Sequence, residues 1–341
     1  MTKVSKSSVA KIRQLRKNKP QVADLTKSIT DGDAIALSRG ITMIESQNKA
    51  ISQQADELVS RCLPHCVDSL RIGITGVPGV GKSTFIEAFG NLLTDRGHRV
   101  AVLAVDPTSS LSKGSILGDK TRMESLVKNE NAFIRPTASG SSLGGVAQKT
   151  RESIILCEAA KFDVVIVETV GVGQSETSVH GMTDFFLLLK IAGAGDELQG
   201  MKRGIIEMAD MIAINKADGE NQRAAEKAKA EFNRALHLYP KKESGVDASV
   251  KLCSSLTHLG LEDILNGIKH YQNKTLDNGY FYVKRKHQNK HWFLQTIEAQ
   301  LKNDFFAHPE TQQNFDDYLK KINNSEMTPF QAAEKLLRRI K

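Results

Sequence analysis

The sequence predicts a doubly wound, mostly parallel α/β sheet with helical extensions at both ends. From about residue 70, strand-sized apolar runs alternate with helix-sized segments, an order typical of parallel sheets covered by helices. The runs are continuously apolar, as expected for strands buried on both faces. A glycine-rich loop after the first run predicts a ligand site at the carboxyl edge of the sheet.

Seven apolar runs are the strand candidates. In chain order they are LRIGIT (70–75), VAVLAVD (100–106), AFIRP (132–136), DVVIVE (163–168), DFFLLLKI (184–191), MIAINK (211–216) and ASVKLCS (248–254). A helix is predicted from Lys82 to Arg96, because Gly97 is a typical residue just past a helix C-terminus. These elements form a predicted central domain over residues 66–275.

Helical extensions are predicted on either side of this domain. Residues 1–65 are expected to be mainly helical, with Asp33 as a helix N-cap. Thr328 to Gln331 resembles a capping box with Pro329 at the first helical position. Two apolar stripes precede it: Trp292, Phe293, Ile297 and Leu301, then Phe315, Tyr318, Leu319 and Ile322. Short helices cannot bury such stripes alone, so residues 276–341 should pack on the central domain or on a second subunit.

Composition and charge narrow the function classes. Basic residues give a net charge of +8, but they concentrate in the terminal segments and elsewhere alternate with acids, so nucleic-acid binding is not expected. No apolar run approaches the length of a membrane span. Four cysteines suggest a reducing compartment, and we expect a cytoplasmic protein. The basic N-terminal stretch leaves an organellar presequence open.

The segment GVPGVGKST follows a strand candidate and opens a helix, the setting in which G-x-x-x-x-G-K-[ST] binds phosphate. Its nine residues are the predicted phosphate contacts: Gly76, Val77, Pro78, Gly79, Val80, Gly81, Lys82, Ser83 and Thr84. The glycines let backbone N–H groups turn toward the β-phosphate, and the helix N-terminus adds favourable potential. Lys82 is expected to reach the β- and γ-phosphates, and the Ser83 hydroxyl is expected to ligate Mg²⁺.

The segment INKAD, residues 214–218, predicts that the base is guanine. Asp218 can accept hydrogen bonds from guanine N1–H and from the exocyclic amine, whereas adenine offers no matching donors on that edge. Asn215 is expected near the polar edge of the base, and the Lys216 stem is expected over its ring. Backbone N–H groups for guanine O6 are expected from the end of the next strand: Ser254, Ser255 and Leu256. The predicted nucleotide is GTP or GDP.

Two carboxylates and one loop are the predicted catalytic elements. Asp106 ends a strand and is expected to hold Mg²⁺ through water or to orient the attacking water, although it could simply start a loop. Glu168 is one methylene longer than Asp, which suits contact with Mg²⁺ through water. Gly171 can sense a γ-phosphate, but Val172 after it cannot orient water. Slow hydrolysis is therefore predicted unless a partner completes the site.

Six segments together resemble the methylmalonyl-CoA mutase-associated GTPases, the MeaB/ArgK family of P-loop GTPases. They are GVPGVGKST, AVDPTSSLSKGSILGDKTRM, RPTASGSSLGG, ETVGVGQSE, AGDELQGMKRGIIEMAD and NKAD, and the resemblance covers roughly residues 30–341. It implies a homodimeric GTPase that is a chaperone for an adenosylcobalamin-dependent methylmalonyl-CoA mutase, gating cofactor loading and helping to remove inactivated cofactor.

The resemblance also implies a role for one further segment. Residues 195–204 would form an extra switch, from which Asp196, Lys202 or Arg203 moves toward the nucleotide when the mutase docks. Lys202 is the expected catalytic addition from this segment. The dimer contact itself is expected in residues 276–341, because their two apolar stripes need a partner surface.

Three other GTPase or ATPase classes remain as alternatives. A nickel- or cobalt-inserting GTPase would need a His-rich tract, but the nine histidines are scattered. Relatives described as kinases or ATPases linked to arginine and ornithine transport would use ATP, against which the guanine motif argues. A protein-targeting GTPase of the signal-recognition type would need a Met-rich domain, and none follows.

Overall fold

The computed structural model describes residues 21–46, 48–105, 123–137, 143–169, 175–193 and 203–338. Helices α1 (Val22–Thr30), α2 (Ala34–Glu45) and α3 (Lys49–Cys62) come before the sheet. Asp33 caps α2 as predicted, because its carboxylate accepts from the backbone N–H groups of Ile35 at 2.7 Å and Ala36 at 3.2 Å. This cap satisfies two backbone donors that a helix start leaves without partners.

Seven parallel strands form one sheet in the order β3-β2-β4-β1-β5-β6-β7. Their bounds are β1 Leu70–Gly76, β2 Val100–Val105, β3 Ala132–Thr137, β4 Val164–Thr169, β5 Phe185–Ile191, β6 Met211–Asn215 and β7 Ser249–Leu252. Each lies within or overlaps one of the seven predicted runs. The structure therefore confirms the doubly wound parallel sheet.

Helices cover both faces of this sheet. They are α4 (Lys82–Asp95), α5 (Glu124–Val127), α6 (Leu143–Ala159), α7 (Ser175–His180), α8 (Arg203–Met208), α9 (Gln222–Leu236) and α10 (Leu261–Asp277). Helices α1, α2, α3 and α6 share one apolar core with the sheet, and α4 and α10 share another. Full burial of an aliphatic side chain contributes about 1.5–3 kcal/mol, so these cores hold the helices to the sheet.

The strand register brings the functional loops to one edge. Gly76 pairs with Leu189, and Glu168 pairs with Ile74 of β1 and with Ala104 of β2. Since all strands are parallel, the loops that follow β1, β2, β4, β5, β6 and β7 leave from the same side of the sheet. Such an edge is where open α/β sheets bind ligands.

The chain divides into two compact units between Arg285 and Lys286. This point lies inside α11 (Tyr280–Ala307). At the end of the first unit, the Arg285 Nη2 atom lies 2.7 Å from the buried Asp184 Oδ2 atom. The domain boundaries after residues 65 and 275 stay predictions.

The second unit contains α12 (Pro309–Asn323) and α13 (Pro329–Arg338). The predicted capping box is confirmed: the Gln331 N–H donates to Thr328 Oγ1, and the Thr328 N–H donates to Gln331 Oε1, each at 3.2 Å. Large apolar side chains remain exposed in this unit, including Phe293 at 65% and Leu301 at 64%. No helix among the described residues is long and apolar enough to cross a membrane.

Candidate nucleotide-binding site

The loop between β1 and α4 has the backbone that a phosphate-binding loop needs. Gly79 and Gly81 have φ values of +81° and +90°, in the left-handed region that glycine adopts without a steric penalty. A Cβ atom at Gly76 would lie 2.7 Å from the Leu189 carbonyl oxygen, so no larger residue fits. Nothing lies within 4 Å of a Cβ built on Gly79, so this part of the loop faces open space.

Lys82 holds its ammonium group close to this loop. Its Nζ donates to the Gly76 carbonyl at 2.7 Å and to the Val77 carbonyl at 3.4 Å. Because Lys82 is also the first residue of α4, the helix dipole and the ammonium charge act on the same space. This arrangement favours the binding of an anion, and the room beside Gly79 suits phosphate oxygens.

A cavity of about 310 Å³ lies beside the loop. Its lining comprises Gly81, Thr84, Asn215, Lys216, Asp218, Asn221, Ser254, Ser255 and Leu256. Eight of these nine residues are predicted nucleotide contacts, brought together from three loops at the carboxyl edge of the sheet. The ninth, Asn221, was missed because it lies outside the motifs from which the contacts were predicted.

Asn215 joins two of these loops from a buried position. Its Nδ2 donates to the Val80 carbonyl at 2.9 Å, and its Oδ1 accepts from the Ser255 N–H at 3.1 Å and the Ser255 hydroxyl at 2.9 Å. The side chain is 2% exposed. The predicted place of Asn215 near the polar edge of the base stays a prediction; in the structure it lines the cavity, and its amide forms a clamp that connects the phosphate loop to the 253–256 loop.

Lys216 strengthens the same connection. Its Nζ donates to the Gly79 carbonyl at 2.9 Å, and its backbone is left-handed with a φ of +59°. The Ala217 N–H donates to the Cys253 carbonyl at 3.0 Å, which ties the end of β6 to the loop after β7. Asp218 follows with its side chain half-buried at the cavity. The aliphatic stem of Lys216 and the Asp218 carboxylate thus border one space.

A family model described as methylmalonyl Co-A mutase-associated GTPase MeaB matches residues 37–310. The chain belongs to this family. This confirms the resemblance inferred from the motifs, and the protein is a GTPase.

Individual relatives agree with this membership. The chain is 41% identical over 312 residues to the GTPase ArgK of Escherichia coli (strain K12), covering 92% of this chain and 94% of that protein. It is 38% identical over 327 residues to the mitochondrial methylmalonic aciduria type A homolog of Mus musculus, covering 93% of this chain and 79% of that one. A crystal structure of a LAO/AO transport system kinase superposes with a TM-score of 0.75 at 36% identity, over 95% of this chain and 98% of that one.

The backbone N–H groups of the 253–256 loop differ in their availability. The Ser254 N–H donates to the Leu259 carbonyl at 2.9 Å, and the Ser255 N–H donates to Asn215 Oδ1. Among the described residues, the Leu256 N–H has no hydrogen-bond acceptor. Of the three predicted donors to guanine O6, Leu256 is therefore the one whose N–H is available to this MeaB-family site.

The described residues also include oxygen donors that suit Mg²⁺. Ser83 is the second residue of α4 and is half-buried beside the loop. Glu168 is 4% exposed near the end of β4, next to β1, and the Thr169 hydroxyl that follows donates to Thr75 Oγ1 at 2.8 Å. Hydroxyl and carboxylate oxygens are ligands that Mg²⁺ prefers, so these residues fit the metal that P-loop GTPases generally use.

Several predicted residues lie outside the described ranges. They are Asp106, Gly171, Val172, Asp196 and Lys202. Asp106 comes directly after Val105, the last residue of β2, and Val105 pairs with Thr169. The statements made about these five residues from the sequence stay predictions.

Proposed function

We propose that this protein is a Mg²⁺-dependent GTPase chaperone of an adenosylcobalamin-dependent methylmalonyl-CoA mutase. Its task would be to gate the loading of the cofactor and to help remove the cofactor once it is inactivated. The observation that carries this proposal is membership of a family described as methylmalonyl Co-A mutase-associated, with a matched region of residues 37–310. The name of the mouse relative, which refers to methylmalonic aciduria, supports the same pathway.

Guanine recognition is the part of the proposal that the cavity supports best. The Asp218 carboxylate would accept from guanine N1–H and the exocyclic amine, and the Leu256 N–H would donate to O6. The clamp made by Asn215 holds the loops that carry these groups, with hydrogen bonds of 2.9–3.1 Å. ATP would place an unprotonated ring nitrogen against the carboxylate, so the site should reject it strongly.

Phosphate binding and hydrolysis would depend on the β1–α4 loop and the neighbouring strand ends. Lys82 would contact the β- and γ-phosphates, Ser83 would ligate Mg²⁺, and Asp106 and Glu168 would hold the metal through water. Mg²⁺, when bound, neutralises charge that develops on the phosphates. Val172 leaves the loop after Gly171 without a side chain that orients water, so hydrolysis by the protein alone should be slow.

The mutase would complete this site through residues 195–204. Each of the two predicted switch segments is adjacent to a helix: α7 begins at Ser175, after the Gly171 loop that would sense the γ-phosphate, and α8 begins at Arg203, inside residues 195–204. They pack against each other and against the sheet. A movement of one switch would therefore be passed to the other, and Lys202 is the residue we propose to enter the site.

A homodimer and a cytoplasmic location complete the proposal. The second unit has a cavity of about 280 Å³ lined by apolar side chains that include Phe315, Leu319 and Leu337. Phe315 is 39% exposed and Leu337 is 56% exposed, so a second copy could cover them. All four cysteines are free thiols, in agreement with a reducing compartment.

Copurification with a methylmalonyl-CoA mutase tests the proposed partner. The tagged protein, its Lys82→Ala variant and its Lys202→Ala variant are each mixed with the mutase in GTP or in GDP, and capture and GTP hydrolysis are measured. We expect capture to depend on the nucleotide, and we expect the mutase to accelerate GTP hydrolysis by the unmutated protein. The Lys202→Ala variant should keep the basal rate of hydrolysis but should not be stimulated by the mutase. Equal capture in GTP and in GDP, together with no effect of the mutase on hydrolysis, would contradict the proposal.

A further inference from the structure

Asn221 borders the cavity of about 310 Å³ beside the phosphate loop, yet none of the nucleotide motifs includes it. It lies three residues after Asp218, at the end of the 3-10 turn Gly219–Asn221. The Asn221 N–H donates to the Asp218 carbonyl at 3.1 Å and closes this turn. This hydrogen bond fixes the backbone of Asn221 relative to that of Asp218, whose carboxylate is the proposed acceptor for guanine.

The Asn221 carboxamide is not used for helix capping. Asn221 is the N-cap residue of α9, where an asparagine oxygen commonly accepts from an N–H of the first turn. Here the side chain makes no such bond, and the backbone is helical (φ −78°, ψ −11°) rather than extended. In the part of the chain that the structure describes, this exposed carboxamide has no protein partner. It remains available to a ligand in the cavity.

Guanine has one donor that Asp218 cannot satisfy. The carboxylate takes N1–H and one N–H of the 2-amino group, which leaves the second N–H of that group pointing away from Asp218. A buried donor without an acceptor is unfavourable, so an oxygen next to Asp218 would add affinity for guanine alone. The carboxamide of Asn221 can supply that oxygen.

We propose that Asn221 is a specificity-determining residue whose side-chain oxygen accepts the second N–H of the guanine 2-amino group. This inference rests on the proposed placement of guanine against Asp218. It makes the site selective against purines that keep N1–H and O6 but lack the amine, such as hypoxanthine.

Titration calorimetry with three nucleotides tests the contact. GTP, ITP, which lacks the 2-amino group, and 2′-deoxy-GTP are titrated into the unmutated protein and into Asn221→Ala. We expect Asn221→Ala to bind GTP and 2′-deoxy-GTP about fivefold more weakly than the unmutated protein does, because one neutral hydrogen bond contributes about 1 kcal/mol. The two proteins should bind ITP with equal affinity. Asn221→Asp keeps the acceptor and should keep the GTP-to-ITP ratio.

The control is Gln222→Ala, which removes an exposed amide from the next position outside the cavity and should change no affinity. Equal losses for GTP and ITP, or no loss for GTP, would overturn the inference. A loss with GTP but none with 2′-deoxy-GTP would also overturn it, because the contact would then be to the sugar. If the unmutated protein instead binds ATP as well as GTP, the placement of guanine itself fails, which is a different result.

Discussion

Replacement of Asn215 by alanine should damage both the stability of the fold and the nucleotide site. The change removes three hydrogen bonds of 2.9–3.1 Å, to the Val80 carbonyl and to the N–H and hydroxyl of Ser255, besides a longer one of 3.7 Å from the Cys253 thiol. At about 1 kcal/mol net for each, the loss is about 3 kcal/mol. For a domain of this size about 2 °C in Tm corresponds to each kcal/mol, so Tm should fall by about 6 °C.

Nucleotide affinity should fall in the same variant. The phosphate loop and the 253–256 loop lose the side chain that connects them. Part of the binding free energy of the nucleotide is then spent on ordering the two loops. We expect GTP affinity to fall at least about tenfold, which corresponds to about 1.4 kcal/mol. Calorimetric unfolding without nucleotide and GTP titration are the two measurements.

Asp218→Ala is the matched control for this variant. Asp218 is half-buried at the cavity and makes no hydrogen bond to the described residues through its side chain, so its loss should lower GTP affinity with Tm nearly unchanged. An Asn215→Ala protein with an unchanged Tm would refute the clamp. So would an Asp218→Ala protein whose Tm falls as far as that of Asn215→Ala.

Three further predictions concern the phosphate loop, acid stability and assembly. Lys82→Ala should lower GTP hydrolysis at least about 100-fold by removing charge from the phosphates, and unchanged turnover would place the phosphates elsewhere. Burial, with Lys284 and Lys242 nearby, lowers the pKa of His180 to about 4. His180 therefore binds a proton near pH 6.5 in the unfolded chain but only near pH 4 in the folded chain. Because the unfolded state binds more protons between these values, the free energy of unfolding should fall by about 2 kcal/mol from pH 7 to pH 5. Urea unfolding should show a smaller fall for His180→Gln, and an equal fall would contradict this origin. Leu319→Asp should give monomers in sedimentation, whereas the exposed control Lys320→Asp should stay dimeric; a dimeric Leu319→Asp would place the contact elsewhere.

Sequence patterns predicted the elements of the fold because their causes are local. Strands buried on both faces give continuous apolar runs, which is why β4 and β5 were recognisable. Asp33 was predicted as a cap because a carboxylate at that point has N–H groups within reach. The helix from Lys82 ends at Asp95, and Gly97 takes the left-handed conformation with a φ of +86°.

The hydrogen-bond partners within the site could not be predicted from the sequence, because they lie on loops that are distant in the chain. Asn215 has both a donor and an acceptor, and the sequence does not show that Val80 and Ser255 occupy them. The sequence also does not show that the Ser254 N–H donates to the Leu259 carbonyl and is therefore not available to the base. Asn221 lies outside every nucleotide motif, and only the fold brings it to the cavity.

The most direct test of guanine recognition is the affinity of Asp218→Asn for GTP and for xanthosine triphosphate. Xanthine has a carbonyl where guanine has its amine, so an amide donor at position 218 matches xanthine and a carboxylate matches guanine. We predict that Asp218→Asn binds GTP much more weakly and xanthosine triphosphate more tightly than the unmutated protein does. An Asp218→Asn protein with unchanged preference for GTP would show that Asp218 does not recognise the base.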